Sequence, residues 1–235
     1  FACYLGAGCY DHFIPTAVAA LAHRGEFITS YTPYQGEASQ GTLQFIYEYQ
    51  SLICELTAMD YSNASMYDGA SSLAEAALLA LRSSGRTKIL IPQTVHPEHR
   101  AVVKTYTSAL HCEIVEVPMK DVTADLDALK KQLGPDVAAV VVQQPNFFGV
   151  LEDVKAISEA AHASGALLIS SVNPISLGVV SPPGEYGADI AVGEGQPLGN
   201  AVSFGGPHFG IFAVKEDLLR KVPGRIAGMT VDKAG

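Results

Sequence analysis

Cysteine is scarce and scattered in this sequence. The four that occur, Cys3, Cys9, Cys54 and Cys112, form no Cys-x-x-Cys pair and stand in no His-rich spacing. Without a zinc-ribbon pattern or a disulfide framework, the thiols read as reduced and buried, as expected of a cytoplasmic protein. Positive charge is also in short supply: 15 Lys and Arg against 24 Asp and Glu leave a net charge of −9. No basic cluster is present to neutralise phosphates, which argues against a nucleic-acid partner. No uninterrupted apolar run reaches the roughly 18 residues of a membrane-spanning helix. The first residues show no basic stretch followed by an apolar core, so no secretory signal is read. Metal ligands are poorly arranged too, because His96 and His99 are separated by Pro97 and no acidic partner completes a set.

What the sequence does have is apolar content. It is 48% hydrophobic and only 17% charged, with a mean hydropathy of +0.20, which points to apolar surface covered by another chain. Residues 1–41 are rich in Gly, Tyr, Pro and Thr and read as an arm, with one short helix around 16–23. From residue 42, Phe45, Ile46, Tyr49, Leu52, Ile53, Leu56 and Met59 recur at spacings of three and four, one continuous helical face. Ser39 supplies the start signal.

Beyond residue 59 helices and apolar strands alternate. Helices are predicted over 71–81, 98–106, 123–133 and 154–163, with a short one from Lys215. Strands are predicted over 88–91, 113–117, 137–142, 166–170, 189–192 and 210–214. This alternation predicts an α/β domain over 42–235, a mainly parallel sheet covered by helices on both faces. Ligands bind such sheets at the carboxyl ends of the strands.

The most unusual stretch is Tyr31-Thr-Pro-Tyr-Gln-Gly-Glu-Ala-Ser-Gln-Gly41. Linkers favour small, flexible residues, whereas this one combines two tyrosines with a stiff Thr-Pro pair. One reading is an ordered loop whose tyrosines pack; the other is a polar loop delivered into a site, a neighbour's included. The string resembles the hallmark loop of glycine decarboxylase, the P-protein of the glycine cleavage system. Phe1-Ala-Cys-Tyr-Leu-Gly-Ala-Gly-Cys-Tyr-Asp11, Asn63-Ala-Ser-Met-Tyr-Asp-Gly-Ala-Ser-Ser-Leu-Ala-Glu-Ala-Ala77 and Gly205-Gly-Pro-His-Phe-Gly210 are similar to that family as well. The resemblance implies the fold-type-I, transferase-like large domain of pyridoxal-phosphate enzymes. The chain opens mid-motif without Met and stops at Gly235, so a fragment without the family's C-terminal small domain is expected.

A pyridoxal-phosphate enzyme of this fold needs a phosphate cradle, a ring stacker, an acid at the pyridine nitrogen and an anchoring lysine. Asp68-Gly-Ala-Ser-Ser72 opens a helix, so Ser71 and Ser72 with nearby N–H groups suit the cradle; plain N-capping is the alternative. His96 falls where the stacker belongs. Ser170 is expected at the position of the acid, and a hydroxyl brings no charge. Gln196 is expected at the position of the lysine, and lysine is missing altogether between Lys155 and Lys215. Glu194, the one carboxylate of that loop, reads as a solvated or capping acid.

An amide is no nucleophile, so a self-sufficient pyridoxal enzyme is not expected. Gly193-Glu-Gly-Gln-Pro197 resembles the non-lysine subunit of split glycine decarboxylases, called subunit 1. The resemblance implies a lysine-bearing beta subunit (subunit 2) carrying pyridoxal phosphate, a hetero-oligomer, glycine as substrate and lipoylated H-protein as acceptor. In that assembly Tyr31, Thr32, Tyr34, Gln35 and Glu37 are candidate contributors to the partner's site. The competing reading is a structural or regulatory subunit with a vestigial pocket formed by Ser71, Ser72, His96, Ser170 and Gln196. Nicotinamide binding is disfavoured, because Gly193-x-Gly195-x-x-x-Gly199 has the wrong spacing and does not open a helix.

Overall fold

The computed structural model describes residues 8–28, 33, 35–36 and 38–233. In chain order its elements are α1 (Thr16–Ala22), α2 (Gly25–Ile28), α3 (Gln40–Thr57), β1 (Tyr61–Ser62), α4 (Gly69–Ser84) and β2 (Lys88–Pro92). These are followed by α5 (Pro97–Thr107), β3 (Glu113–Val117), β4 (Met119–Lys120), β5 (Thr123–Ala124), α6 (Leu126–Gln132) and β6 (Val137–Gln144). The last third holds α7 (Val154–Ala163), β7 (Leu167–Val172), β8 (Ile190–Glu194) and β9 (Gly210–Val214), with 3-10 turns at Pro174–Gly178, Gln196–Leu198 and Glu216–Lys221.

Seven strands form one sheet in the order β1-β9-β8-β7-β6-β2-β3. From β3 to β8 the neighbours are parallel, and β9 runs antiparallel to both β8 and β1. Side chains alternate between the faces, as the two-residue period of a strand requires. Ile91, Val141, Ile169, Val192 and Phe212 pack on one face with Leu73 of α4 and Val103 of α5. Leu90, Val140 and Leu168 pack on the other with Leu129 of α6 and Ile157 of α7, while Ala191, Ile211 and Ala213 meet Ile53 of α3. Both faces are therefore covered, which explains the near-continuous apolar run of β6.

Most differences from the predicted elements lie at their ends. Residues 123–124 belong to a short hairpin with β4, so α6 begins later, behind Asp125, whose side chain accepts from Ala128 N. The segment from Lys215 is a 3-10 turn rather than an α-helix. The α3 face is only partly buried, since Leu52 and Phe45 are exposed. Among the described residues no helix is long and apolar enough to cross a membrane.

Candidate functional site

A cleft of about 950 Å³ lies at the carboxyl ends of β6, β7 and β8, against the first turns of α4 and α5. Its place follows from topology. Parallel strands all end on one side, and the helices that follow them present their N-termini there. Among the described residues its wall carries three carboxylates, Asp68, Glu98 and Glu194, and no lysine or arginine.

The first turn of α4 is already occupied. Asp68 and Ser71 form a capping box: the carboxylate accepts from Ser71 N at 2.7 Å and Asp68 N donates to Ser71 Oγ at 3.2 Å. The hydroxyls of Ser71 and Ser72 both donate back to Asp68 O. Glu194, at the end of β8, accepts from Gly69 N at 3.0 Å through Oε2. Its Oε1 accepts from Gln196 N at 2.9 Å and Phe209 N at 3.4 Å, and lies 3.2 Å from His208 Nδ1.

Backbone pairing holds this joint together. Gly210 pairs with Glu194 across β8 and β9, and also forms a bridge with Met66 just ahead of α4. A Cβ on Gly210 would lie 2.4 Å from Asp68 O, and one on Gly69 would lie 2.9 Å from Glu194 N. Only glycine permits these approaches.

On the opposite wall, His96 caps α5: its Nδ1 accepts from Glu98 N, and its own N–H donates to Gln143 Oε1 at 2.8 Å. Its ring stacks on His99, with centroids 4.6 Å apart, and meets the edge of Phe147. Burial first, and the neighbouring His96 second, push His99 down to about 4, so it is neutral near pH 7. The loop carrying Phe147 is fixed by Asn146, whose side chain donates to Glu152 and to Val122 O. Glu152 in turn accepts from Ala124 N.

Three predicted wall residues do not line the cleft: Ser72 is fully buried with its hydroxyl on Asp68 O, and Ser170 and Gln196 require correction by one position. Ser170 does not line the cleft. Its hydroxyl is buried on the other side of β7, 2.5 Å from Tyr186 Oη, and Ser171 stands at the wall instead. Because neighbours on a strand face opposite ways, a shift of one residue exchanges faces. Gln196 is likewise tucked behind the wall, donating to Asn200 O at 2.6 Å and Tyr10 O at 3.4 Å, and Pro197 faces the cleft. The chemistry is unaltered by the correction, because serine brings no negative charge and proline no amine.

Of the loop candidates, Gln35 is described and exposed; Tyr31, Thr32, Tyr34 and Glu37 lie outside the described residues. Sequence reasoning missed Asn146, Glu152, Tyr186 and the Glu194–His208 pair. The polar string Gln143-Gln-Pro-Asn146 directly after an apolar strand was a usable signal for the first of these.

These features decide whether pyridoxal phosphate fits here. The helix turn that would cradle its phosphate carries two carboxylates, and its hydroxyls are turned inward. A further anion about 4 Å from one of them meets roughly 4 kcal/mol of repulsion per pair of unit charges at an effective dielectric near 20. Among the described residues the wall has no lysine, and Ser171 and Pro197 stand where the acid and the anchor are expected. The residues do not fit the group.

The architecture is that of the fold-type-I pyridoxal-phosphate enzymes. Sphingosine-1-phosphate lyase from Burkholderia pseudomallei, only 12% identical, superposes with a TM-score of 0.69 over 95% of this chain and 60% of its own. Within that class the family model of the glycine cleavage system P-protein matches residues 1–235, and the chain belongs to that family. A probable glycine dehydrogenase (decarboxylating) subunit 1 from Carboxydothermus hydrogenoformans is 58% identical over 99% of this chain and 52% of its own length. A crystal structure of glycine decarboxylase, the P-protein, in inhibitor-bound form superposes with a TM-score of 0.94 at 52% identity, over 98% of this chain and 52% of that one. The chain thus spans about half the length of the relatives it matches.

Proposed function

We propose that this chain is part of the non-anchoring subunit, subunit 1, of a split glycine dehydrogenase (decarboxylating). The observation that carries the reading is a cleft, in the place this fold uses for its cofactor, whose wall presents Ser171 and Pro197 with Ser170 and Gln196 turned away behind it. Its identity to subunit 1 along the whole chain agrees with this. In the holoenzyme, glycine is decarboxylated with pyridoxal phosphate and the aminomethyl group passes to the lipoyl arm of H-protein. The cofactor is held by a lysine-bearing subunit 2, and the assembly is a cytoplasmic hetero-oligomer.

The role of this chain is to build one side of the shared enzyme. The Tyr31–Glu37 loop contributes polar groups to the partner's site, drawn from Tyr31, Thr32, Tyr34, Gln35 and Glu37. Omitting the subunit from a reconstituted enzyme is expected to abolish turnover. Tyr34→Phe and Glu37→Gln in the holoenzyme are expected to reduce kcat/KM by about tenfold or more each, the loss of one good hydrogen bond to the transition state. Full turnover without this chain, or with both loop substitutions in place, contradicts the reading.

A further inference from the structure

The start of α4, where this fold seats a ligand's anion, is filled in this chain by the Glu194 carboxylate. Three N–H groups converge on Glu194, those of Gly69, Gln196 and Phe209, and His208 Nδ1 lies 3.2 Å from it. An exposed capping acid needs one such partner; this carboxylate has as many as a bound oxyanion acquires in a dedicated pocket. It sits on the N-terminal turn of a 16-residue helix, where the aligned peptide dipoles favour negative charge. Its backbone is fixed by β8 pairing, and Gly69 and Gly210 are compressed against it and Asp68.

We propose that Glu194 is the resident anion of this cleft, occupying the seat at the start of α4 where a ligand phosphate would bind and barring phosphate monoesters from the cavity. Glu194 is thus a specificity-determining residue. It supplies from within the chain the negative charge that α4 would otherwise draw from a ligand, so the joint between α4, β8 and β9 stays closed without one. Asp68, on Ser71 N, closes a second donor of the same turn. The wall opposite offers no lysine or arginine among the described residues to draw a phosphate elsewhere in the cleft. The inference rests on the assignment of the cofactor to the partner subunit, and supplies its physical cause.

The test titrates inorganic phosphate, and separately pyridoxal 5′-phosphate, into the full-length subunit by calorimetry. The wild-type protein is expected to show no saturable phosphate binding. Glu194→Ala, which vacates the seat, is expected to bind phosphate saturably, at least about tenfold more tightly than the detection limit that bounds the wild type, and Glu194→Gln, which keeps the volume and removes the charge, to fall between them. Should the alanine variant not fold, the glutamine variant and the thermal midpoint of the wild type carry the test. Saturable phosphate binding by the wild type, a phosphate-dependent rise in its Tm, or no gain in either variant overturns the proposal. Borohydride reduction of the holoenzyme separates the two readings. A pyridoxyl label on this chain defeats the cofactor assignment, whereas phosphate binding with no such label defeats only the role of Glu194.

Discussion

The cleft and the N-terminal arm solve opposite problems. At the cleft, most polar groups of the wall are held by their own chain: Glu194 on Gly69, Asp68 on Ser71 and the His96 backbone on Gln143, with His99 Nδ1 the exception that has no hydrogen-bond partner. In the arm, apolar groups remain uncovered. Helix α1 buries no residue, and Phe13, Leu21 and Ile28 are exposed. The cleft wall is thus largely occupied by contacts of its own chain, while the described part of the arm leaves apolar surface exposed.

The largest effect separating the two regions is in stability. Ile169→Ala, in the strand under the cleft, removes a fully buried side chain from a close-packed layer. It should lower the unfolding free energy by about 2–5 kcal/mol in a urea titration. If the loss is under about 1 kcal/mol, the sheet is not the rigid frame described.

A pH effect comes next. His99 titrates near 4 in the folded chain against 6.5 ordinarily, because burial penalises its charged form. A depressed folded value means the unfolded chain takes up the proton first. The contribution is therefore complete above pH 6.5 and is lost as pH falls toward 4, amounting to at most about 3 kcal/mol. His99→Leu should flatten the stability profile in that window. An unchanged slope would mean the ring is not buried as the stacking on His96 implies.

Smaller still is the Ser170–Tyr186 pair. Ser170→Ala and Tyr186→Phe each strand a buried hydroxyl and should each cost about 1–2 kcal/mol, with the double substitution costing less than the sum. Additive losses would show that the two hydroxyls do not bond. Smallest of all, Leu21→Ser in α1 should shift the chain's own stability by no more than about 0.5 kcal/mol, yet weaken assembly with the partner. A large stability loss would show the arm packing on its own chain, and would erase the contrast with the cleft.

Much of this was legible in the sequence. The apolar runs at 88–91, 137–142 and 210–214 read directly as buried strands, and the helix over 71–81 was expected. Gln196 and the lysine-free stretch around it announced that no anchor stood in that loop. What failed was the last residue of precision. Ser170 and Ser171 are identical in type, so nothing local says which faces the cleft, and the strand register decides it. The Glu194–Gly69 contact joins residues 125 positions apart in the chain and exists only because β9 returns antiparallel beside β8. Tyr186 was invisible as the partner of Ser170 for a similar reason, since a loop of no fixed pattern brings it back.

The most direct test of the central claim is borohydride reduction of the assembled enzyme with pyridoxal phosphate, followed by peptide mass mapping of both subunits. The account predicts one pyridoxyl-lysine, on the partner subunit, and none on this chain. A stoichiometric pyridoxyl-lysine on this chain, at Lys155, Lys215 or any other position, would contradict it.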